Sequence, residues 1–292
     1  MSAIVTANDA VSYDATIGTV YMPMRNMRPG SPVLVMVHGG GWLTGSAESL
    51  HDACEAMSDD GFICVAPTYS LSSLDTVFLQ KLLWLELIML SIILIGTPPS
   101  SFAARAALLT VMVFVTVFII ARLLSLEHDS CTRHPSHVRD LAAACAGIAD
   151  RFPTENLVLV GHSAGAHLST LAVTNTRFLH ERGGENLVKR FVGVIGISGA
   201  YSDVRLRESL VARHLMSCVF VADADDVTDA FPIYHVSRET CPVLLVNAGS
   251  DMSLLRHSVD FYEVLTKHNV RVETYIAYDC CHLSIKHDWA SS

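Results

Sequence analysis

The chain has 292 residues, a formal net charge of −9 and 51% hydrophobic residues, with a mean hydropathy of +0.38. That length holds one mid-sized domain with an insert and is too short for two full domains with a hairpin insert. The acidic balance excludes the basic surface that nucleic acid requires, and Met1 to Asp14 lacks the basic segment and apolar run of a secretory leader.

In chain order, the predicted elements begin with strands at 16–22 and 33–37, a helix at 49–59 and a strand at 62–66. An apolar insert follows, then a helix at 136–151 and a strand starting at Leu157 that leads into a further helix. Strands at 192–197, 243–247 and 272–277 complete the order, with a helix at 254–268 between the last two. Apolar strands alternating with helices of this length imply a mainly parallel sheet covered by helices on both faces. The predicted organisation is a single domain, 1–292, with the insert at 76–127 as a helical hairpin within it.

Directly after the strand at 33–37 stands His38-Gly39-Gly40-Gly41-Trp42. Acyl transfer passes through a tetrahedral oxyanion, which needs preorganised N–H donors about 3 Å away. Glycines let a backbone approach a substrate closely enough to supply them. Neither Gly-Lys-Ser/Thr nor a G-x-G-x-x-G follows, which argues against a phosphate loop.

The insert is the second strong signal. From Leu82 to Ala121 only Glu86 and Arg105 are charged, and Gly96-Thr97-Pro98-Pro99-Ser100-Ser101 reads as a turn between two apolar runs. As helices the runs 82–95 and 106–121 would be about 21 and 24 Å long, short of the ~30 Å hydrocarbon core without flanking residues. Neither run shows the polar stripe of an amphipathic cap. The oxyanion loop precedes the insert and the remaining candidate residues follow it, so the chain crosses a bilayer twice or not at all. The readings are a hairpin through the membrane, a shallow interfacial hairpin and an apolar cap. Uniform apolarity favours a transmembrane or otherwise membrane-associated insert, with the catalytic domain facing the cytoplasm and lipid as a partner.

After the insert, Gly161-His162-Ser163-Ala164-Gly165 follows the apolar run Leu157-Val158-Leu159-Val160 and precedes a stretch free of Gly and Pro. A G-x-S-x-G between strand and helix is a nucleophile elbow, in which small neighbours keep the serine hydroxyl exposed on a strained turn. The helix N-terminus at Ser163 favours developing negative charge. An acid and a histidine are expected next, in that order. Asp251 lies on a loop just past the strand at 243–247, and His282 on the loop after the last strand. Asp223, Asp225, Asp226 and Asp229 form an acidic cluster without a preceding strand, and His287 falls in a more polar stretch near the chain end. Ser163, Asp251 and His282 are therefore the candidate catalytic residues, and Gly40, Gly41 and Ala164 the candidate oxyanion hole. Trp42 and Tyr69 are candidate substrate-binding residues.

The other histidines have plainer readings: His38 braces its loop, and His162 and His167 are packed or surface groups. His128, Cys131, His134 and His137 recur at short steps, but Pro135 interrupts any helix and the spacing fits no common zinc pattern. No metal and no cofactor is expected. The eight cysteines, Cys54, Cys64, Cys131, Cys145, Cys218, Cys241, Cys280 and Cys281, are scattered without a disulfide framework.

The two motifs together resemble the branch of the α/β-hydrolase fold that contains kynurenine formamidase, isoprenylcysteine methylesterase and related carboxylesterases. The likeness extends through Pro67-Thr68-Tyr69-Ser70-Leu71, where relatives often carry Asp-Tyr-Arg, and through 134–140 and 197–203 to the Asp251 and His282 loops. It leaves out only the span from Thr76 to Glu127. It implies an α/β-hydrolase fold with Ser163, Asp251 and His282 as nucleophile, acid and base. The expected activity is hydrolysis of a small-molecule carboxylic ester with an apolar portion, admitted from lipid beside the insert. Two alternatives stand beside it: a formamidase-like amide hydrolase acting on a small aromatic substrate, and a non-catalytic membrane-bound binding module of the same fold.

Overall fold

The computed structural model describes residues 11–24, 27–73, 113, 115–117, 132–208, 213, 216, 218–220 and 227–285. The chain divides into two compact units, one formed by Met1–Ser72 with Thr132–Ser292 and the other by Ser73–Cys131. In the first unit the described strands form one eight-stranded sheet. They are β1 (Val11–Asp14), β2 (Gly18–Tyr21), β3 (Val33–Val37), β4 (Cys64–Ala66), β5 (Leu157–His162), β6 (Phe191–Ile197), β7 (Val243–Ser250) and β8 (Val272–Cys281). Their order across the sheet is β1-β2-β4-β3-β5-β6-β7-β8.

β1 and β2 pair antiparallel with each other, β2 pairs antiparallel with β4, and every pairing from β4 to β8 is parallel. Parallel strands need crossovers, which the helices supply. These are α1 (His51–Asp59), α2 (Ser136–Arg151), α3 (Ala164–Thr174), α4 (Arg177–Val188), α5 (Asp203–Arg207) and α6 (Leu255–Lys267). Covering both faces leaves β3 with all five residues buried, which is why Val33-Leu34-Val35-Met36-Val37 is a continuous apolar run rather than an alternating one. One core cluster gathers Val35, Leu159, Leu141, Leu171 and Phe261. A second gathers Leu34, Met36, Leu50 and Val160.

Register then places the site. Val37 lies opposite Gly161, Gly161 opposite Gly196, and Ile197 opposite Val246. The carboxyl ends of β3, β5, β6 and β7 therefore come level, and the loops that leave them meet at one edge of the sheet.

Three elements escaped sequence reading. β1 has four residues, half of them exposed, and forms the sheet edge beside β2. α4 contains Gly183-Gly184, with Gly184 at φ 60° inside it, so its helical signal is interrupted. α5 has only five residues, too few to show a period.

Among the described residues no helix is long and apolar enough to cross a membrane. The longest described helix of the first unit, α2, has 16 residues and so spans about 24 Å against a ~30 Å hydrocarbon core. It also carries Arg139, Asp140, Asp150 and Arg151. On that finding the transmembrane, membrane-associated and cytoplasm-facing expectations are withdrawn, and lipid with them as a partner. Of the expected insert only residues 113 and 115–117 are described, all helical; both apolar runs otherwise lie outside the described residues.

Candidate active site

Ser163 sits between β5 and α3 with φ 55° and ψ −117°, a conformation that costs a residue with a side chain about 1–3 kcal/mol unless its surroundings enforce it. The two flanking glycines are that enforcement. A Cβ on Gly161 would lie 2.3 Å from the Gly165 carbonyl oxygen, and one on Gly165 would lie 2.2 Å from that of Val37. The first contact closes the elbow on itself; the second seats α3 against the end of β3. The Ser163 N–H donates to the Ile197 carbonyl at 2.8 Å, fastening the turn to β6.

Asp251 follows β7 directly and is 6% exposed. Its Oδ1 is 2.8 Å from His282 Nδ1, and its Oδ2 accepts from Asn247 Nδ2 at 2.6 Å. With Nδ1 donating to the carboxylate, Nε2 is the ring's acceptor, and it lies 3.2 Å from Ser163 Oγ. β8 runs on to Cys281 and so delivers His282 straight to the sheet edge. The His282 N–H donates to Ser250 at 3.0 Å. His162 Nε2 donates to the His282 carbonyl at 2.9 Å, and the two rings are 4.9 Å apart. The structure thus brings Ser163, Asp251 and His282 into one hydrogen-bonded line. Sequence reading missed Asn247 and the bracing role of His162, since neither bond has a periodic or motif signature.

The glycine loop has φ values of 126°, 61° and 62° at Gly40, Gly41 and Trp42. It is cinched on the Gly40 carbonyl, which accepts from the Leu43 N–H at 3.2 Å, the Thr44 N–H at 3.0 Å and Thr44 Oγ1 at 3.0 Å. The loop lies against the elbow, because a Cβ on Gly39 would be 3.0 Å from Ser163 Cβ. Ala164 opens α3, and its N–H has no carbonyl four residues back within the helix to bond.

Two aromatic braces hold this loop. The Tyr69 hydroxyl donates to the His38 carbonyl at 3.0 Å, and the two rings stack with centroids 4.3 Å apart. His38 Nδ1 donates to the Gly39 carbonyl at 2.8 Å, and burial lowers its pKa. Tyr69 is therefore placed under the loop as a brace, not in the cavity wall. Trp42 does line the cavity; its indole N–H donates to His167 Nδ1 at 3.2 Å. His167 passes the connection on, donating from Nε2 to the Ala230 carbonyl at 2.7 Å. That arrangement requires a neutral ring, and burial pulls the His167 pKa down to about 3.

Ser70, where relatives often carry arginine, donates from its N–H to Asp140 Oδ2 at 3.0 Å and also bonds it through Oγ. The loop after β4 is thereby fastened to α2. Of the suspected metal run, His134 Nε2 is 3.2 Å from Asp229 Oδ2, and His137 Nε2 is 2.9 Å from Ser72 Oγ. His128 and Cys131 lie outside the described residues, as do Asp223, Asp225, Asp226 and His287. Asp229 is also engaged by Arg177 and Asn175, away from Ser163.

A cavity of about 530 Å³ opens onto Ser163 and His282. Trp42, Ala200, Leu206, Met252 and Leu254 make much of its wall apolar, and His257 adds a buried polar group. Met252 and Ser253 hold φ values of 47° and 70° at its rim.

Comparison with known proteins agrees with this architecture. Residues 19–81 match the family model described as BD-FAE. A kynurenine formamidase from Meyerozyma guilliermondii is 28% identical over 125 residues, which are 41% of this chain and 48% of that protein; the match spans about half the length of that curated relative. A provisionally assigned thioesterase from Silicibacter sp. tm1040 superposes with a TM-score of 0.63 at 17% identity, covering 97% of this chain and 82% of that one. Esterase B from Lactobacillus rhamnosis gives 0.61 at 15% identity over 92% and 73%. Thermogutta terrifontis esterase 2, phosphonylated by sarin, gives 0.58 at 14% identity over 90% and 79%. The chain has the α/β-hydrolase fold. Within that fold, the loops after β3, β5, β7 and β8 are the ones that carry the candidate site.

Proposed function

We propose that this α/β-hydrolase is a serine carboxylic-ester hydrolase working through Ser163, His282 and Asp251. The observation that carries the reading is the continuous relay, 2.8 Å from carboxylate to imidazole and 3.2 Å from imidazole to hydroxyl. In the first step His282 Nε2 takes the Ser163 proton as Oγ attacks the ester carbonyl carbon. Asp251 holds the tautomer and stabilises the imidazolium that forms. Negative charge collects on the carbonyl oxygen, where the N–H groups of Gly40, Gly41 and Ala164 receive it, each worth about 3 kcal/mol. The tetrahedral intermediate collapses, the C–O bond breaks, and the alcohol leaves with the proton from His282. Water then attacks the acyl-enzyme by the same route in reverse and releases the acid. The apolar wall around Ser163 suits an ester with an apolar portion small enough for a 530 Å³ cavity.

Labelling by a fluorophosphonate probe tests this reading. The parent protein is expected to label and to hydrolyse p-nitrophenyl butyrate, and Ser163→Ala to lose both, with kcat lower by about 10⁶-fold. A folded parent that neither labels nor turns over the ester would instead support the binding-module reading. The formamidase match favours one alternative substrate, a formamide on a small aromatic amine. Parallel assay of N-formylkynurenine and p-nitrophenyl esters separates the two, since a formamidase would show the higher kcat/KM on the former.

A further inference from the structure

α5 and α6 together form one wall of the cavity. α5 contributes Arg205 and Leu206, with Glu208 just beyond its end; α6 contributes Arg256 and His257. The charges in this wall are paired with each other and with Asp260 of α6. Arg205 grips Asp260 through two bonds, Nε to Oδ2 at 2.6 Å and Nη2 to Oδ1 at 2.9 Å, and reaches Glu208 through Nη1 at 2.8 Å. Glu208 also faces Arg256 at 3.6 Å. With Asp260, which lies outside the cavity lining and holds Arg205, two guanidiniums stand against two carboxylates, and the local charge is balanced.

His257 differs from these residues in its burial and in the state of its ring. It is 3% exposed yet lines the cavity that opens onto Ser163. The Ser202 N–H donates to its Nδ1 at 3.2 Å. Nδ1 is thus an acceptor, and the ring proton of the neutral form resides on Nε2. Burial lowers the pKa to about 4, so the ring stays neutral at pH 7 with Nε2–H as its donor. A buried donor that a substrate leaves unpaired costs that substrate affinity, which is how apolar pockets with one placed polar group discriminate.

Resting on the hydrolase reading of Ser163, we infer that His257 is a specificity-determining residue. Its Nε2–H receives a neutral hydrogen-bond acceptor, an ether, hydroxyl or carbonyl oxygen, on the part of the ester lodged against the α5–α6 wall. The substrate class is then an uncharged, oxygen-bearing ester rather than a plain alkyl ester or an anionic one.

Oxygen-for-methylene pairs of equal shape test this. On the acyl side the pair is p-nitrophenyl methoxyacetate and p-nitrophenyl butyrate; on the alcohol side it is 2-methoxyethyl acetate and n-butyl acetate. In one of the two pairs the oxa-to-alkyl ratio of kcat/KM is expected to fall about tenfold in His257→Leu and His257→Asn, the worth of one hydrogen bond. Asn keeps an acceptor for the Ser202 N–H but is too short to place a donor in the cavity. His257→Gln, which carries a donor near the Nε2 position, retains the parental ratio, and thermal melts verify that each variant folds. Ratios unchanged in Leu and Asn for both pairs, or lowered equally in Gln, overturn the assignment. A second readout does not need turnover. In ¹⁵N-histidine-labelled Ser163→Ala protein, the His257 Nε2–H resonance is expected to move with the oxa ester and not with its alkyl partner. An equal response to both esters, or none to either, overturns the assignment. Failure of the parent to hydrolyse any ester overturns the hydrolase reading alone.

Discussion

Gly40 has φ 126° and no room for a Cβ, since one would lie 2.0 Å from the Thr44 carbonyl oxygen, whereas Gly41 has φ 61° and open space around it. The two neighbours in one motif therefore obey different physics. Gly40→Ala must push the backbone of the loop apart and is expected to lower kcat by at least about 100-fold, the loss from one oxyanion donor. Gly41→Ala pays only for a left-handed residue, about 1–2 kcal/mol, and is expected to keep most of its activity; comparable losses from the two would refute this account. Asn247 is a residue of the other kind, invisible in sequence because its amide acts through Asp251. Asp251 itself was legible, because a carboxylate just past a strand end is where open α/β sheets gather function.

At the scale of elements, α5 is the informative case. A five-residue helix cannot stand by its own hydrogen bonds, and its hold includes the Arg205 clamp on Asp260 of α6, the Ser202 contact to His257 and the Tyr234 hydroxyl bond to Asp203. Asp260→Asn is expected to quicken amide hydrogen exchange across Asp203–Arg207 while exchange in β5 is unchanged, as hydrogen-exchange mass spectrometry can resolve. Equal rates in both proteins would show that the Ser202 and Tyr234 contacts, with the packing of Leu206, hold the helix without the clamp. β3 and α2 match the sequence reading residue for residue, one as an unbroken apolar run and the other as a long segment with an apolar face. β8 outruns its predicted end and reaches Cys281. Residues 279–281 fall past the predicted strand, but pairing of Ser250 with Cys281 beside β7 extends it.

Across the whole molecule, buried neutral histidines tie stability to pH. Burial lowers the pKa of His137 to about 4, of His167 to about 3 and of His257 to about 4, from an ordinary 6.5. Between pH 6.5 and about 4 the unfolded chain binds protons at these rings that the folded chain does not. Folding stability is therefore full above pH 6.5 and falls as the pH drops through that window, by up to about 4 kcal/mol per pH unit for three such groups. Urea unfolding followed by tryptophan fluorescence at pH 7, 6 and 5 checks the slope. His167→Gln is expected to reduce it by about 1.4 kcal/mol per pH unit, and a slope indifferent to that change would locate the linkage elsewhere.

The amino-acid sequence alone determined the alternation of strands and helices, the glycines around Ser163 and the two later loops that carry Asp251 and His282. Those features are local: apolar period, turn chemistry and motif spacing act within a few residues of themselves. Only the tertiary structure decided that Tyr69 braces the glycine loop, that His162 and Asn247 brace the His282 and Asp251 side of the site, and that His257 lines the cavity with its Nδ1 held by Ser202. Each of these depends on a hydrogen bond between residues brought together by the register of the sheet and the packing of its helices. The apolar character of 82–95 and 106–121 suggests a membrane signal, but among the described residues, which leave out most of both runs, no helix is long and apolar enough to cross a membrane. Apolarity sets which residues leave water, whereas length and continuity of helix set whether a bilayer can be crossed.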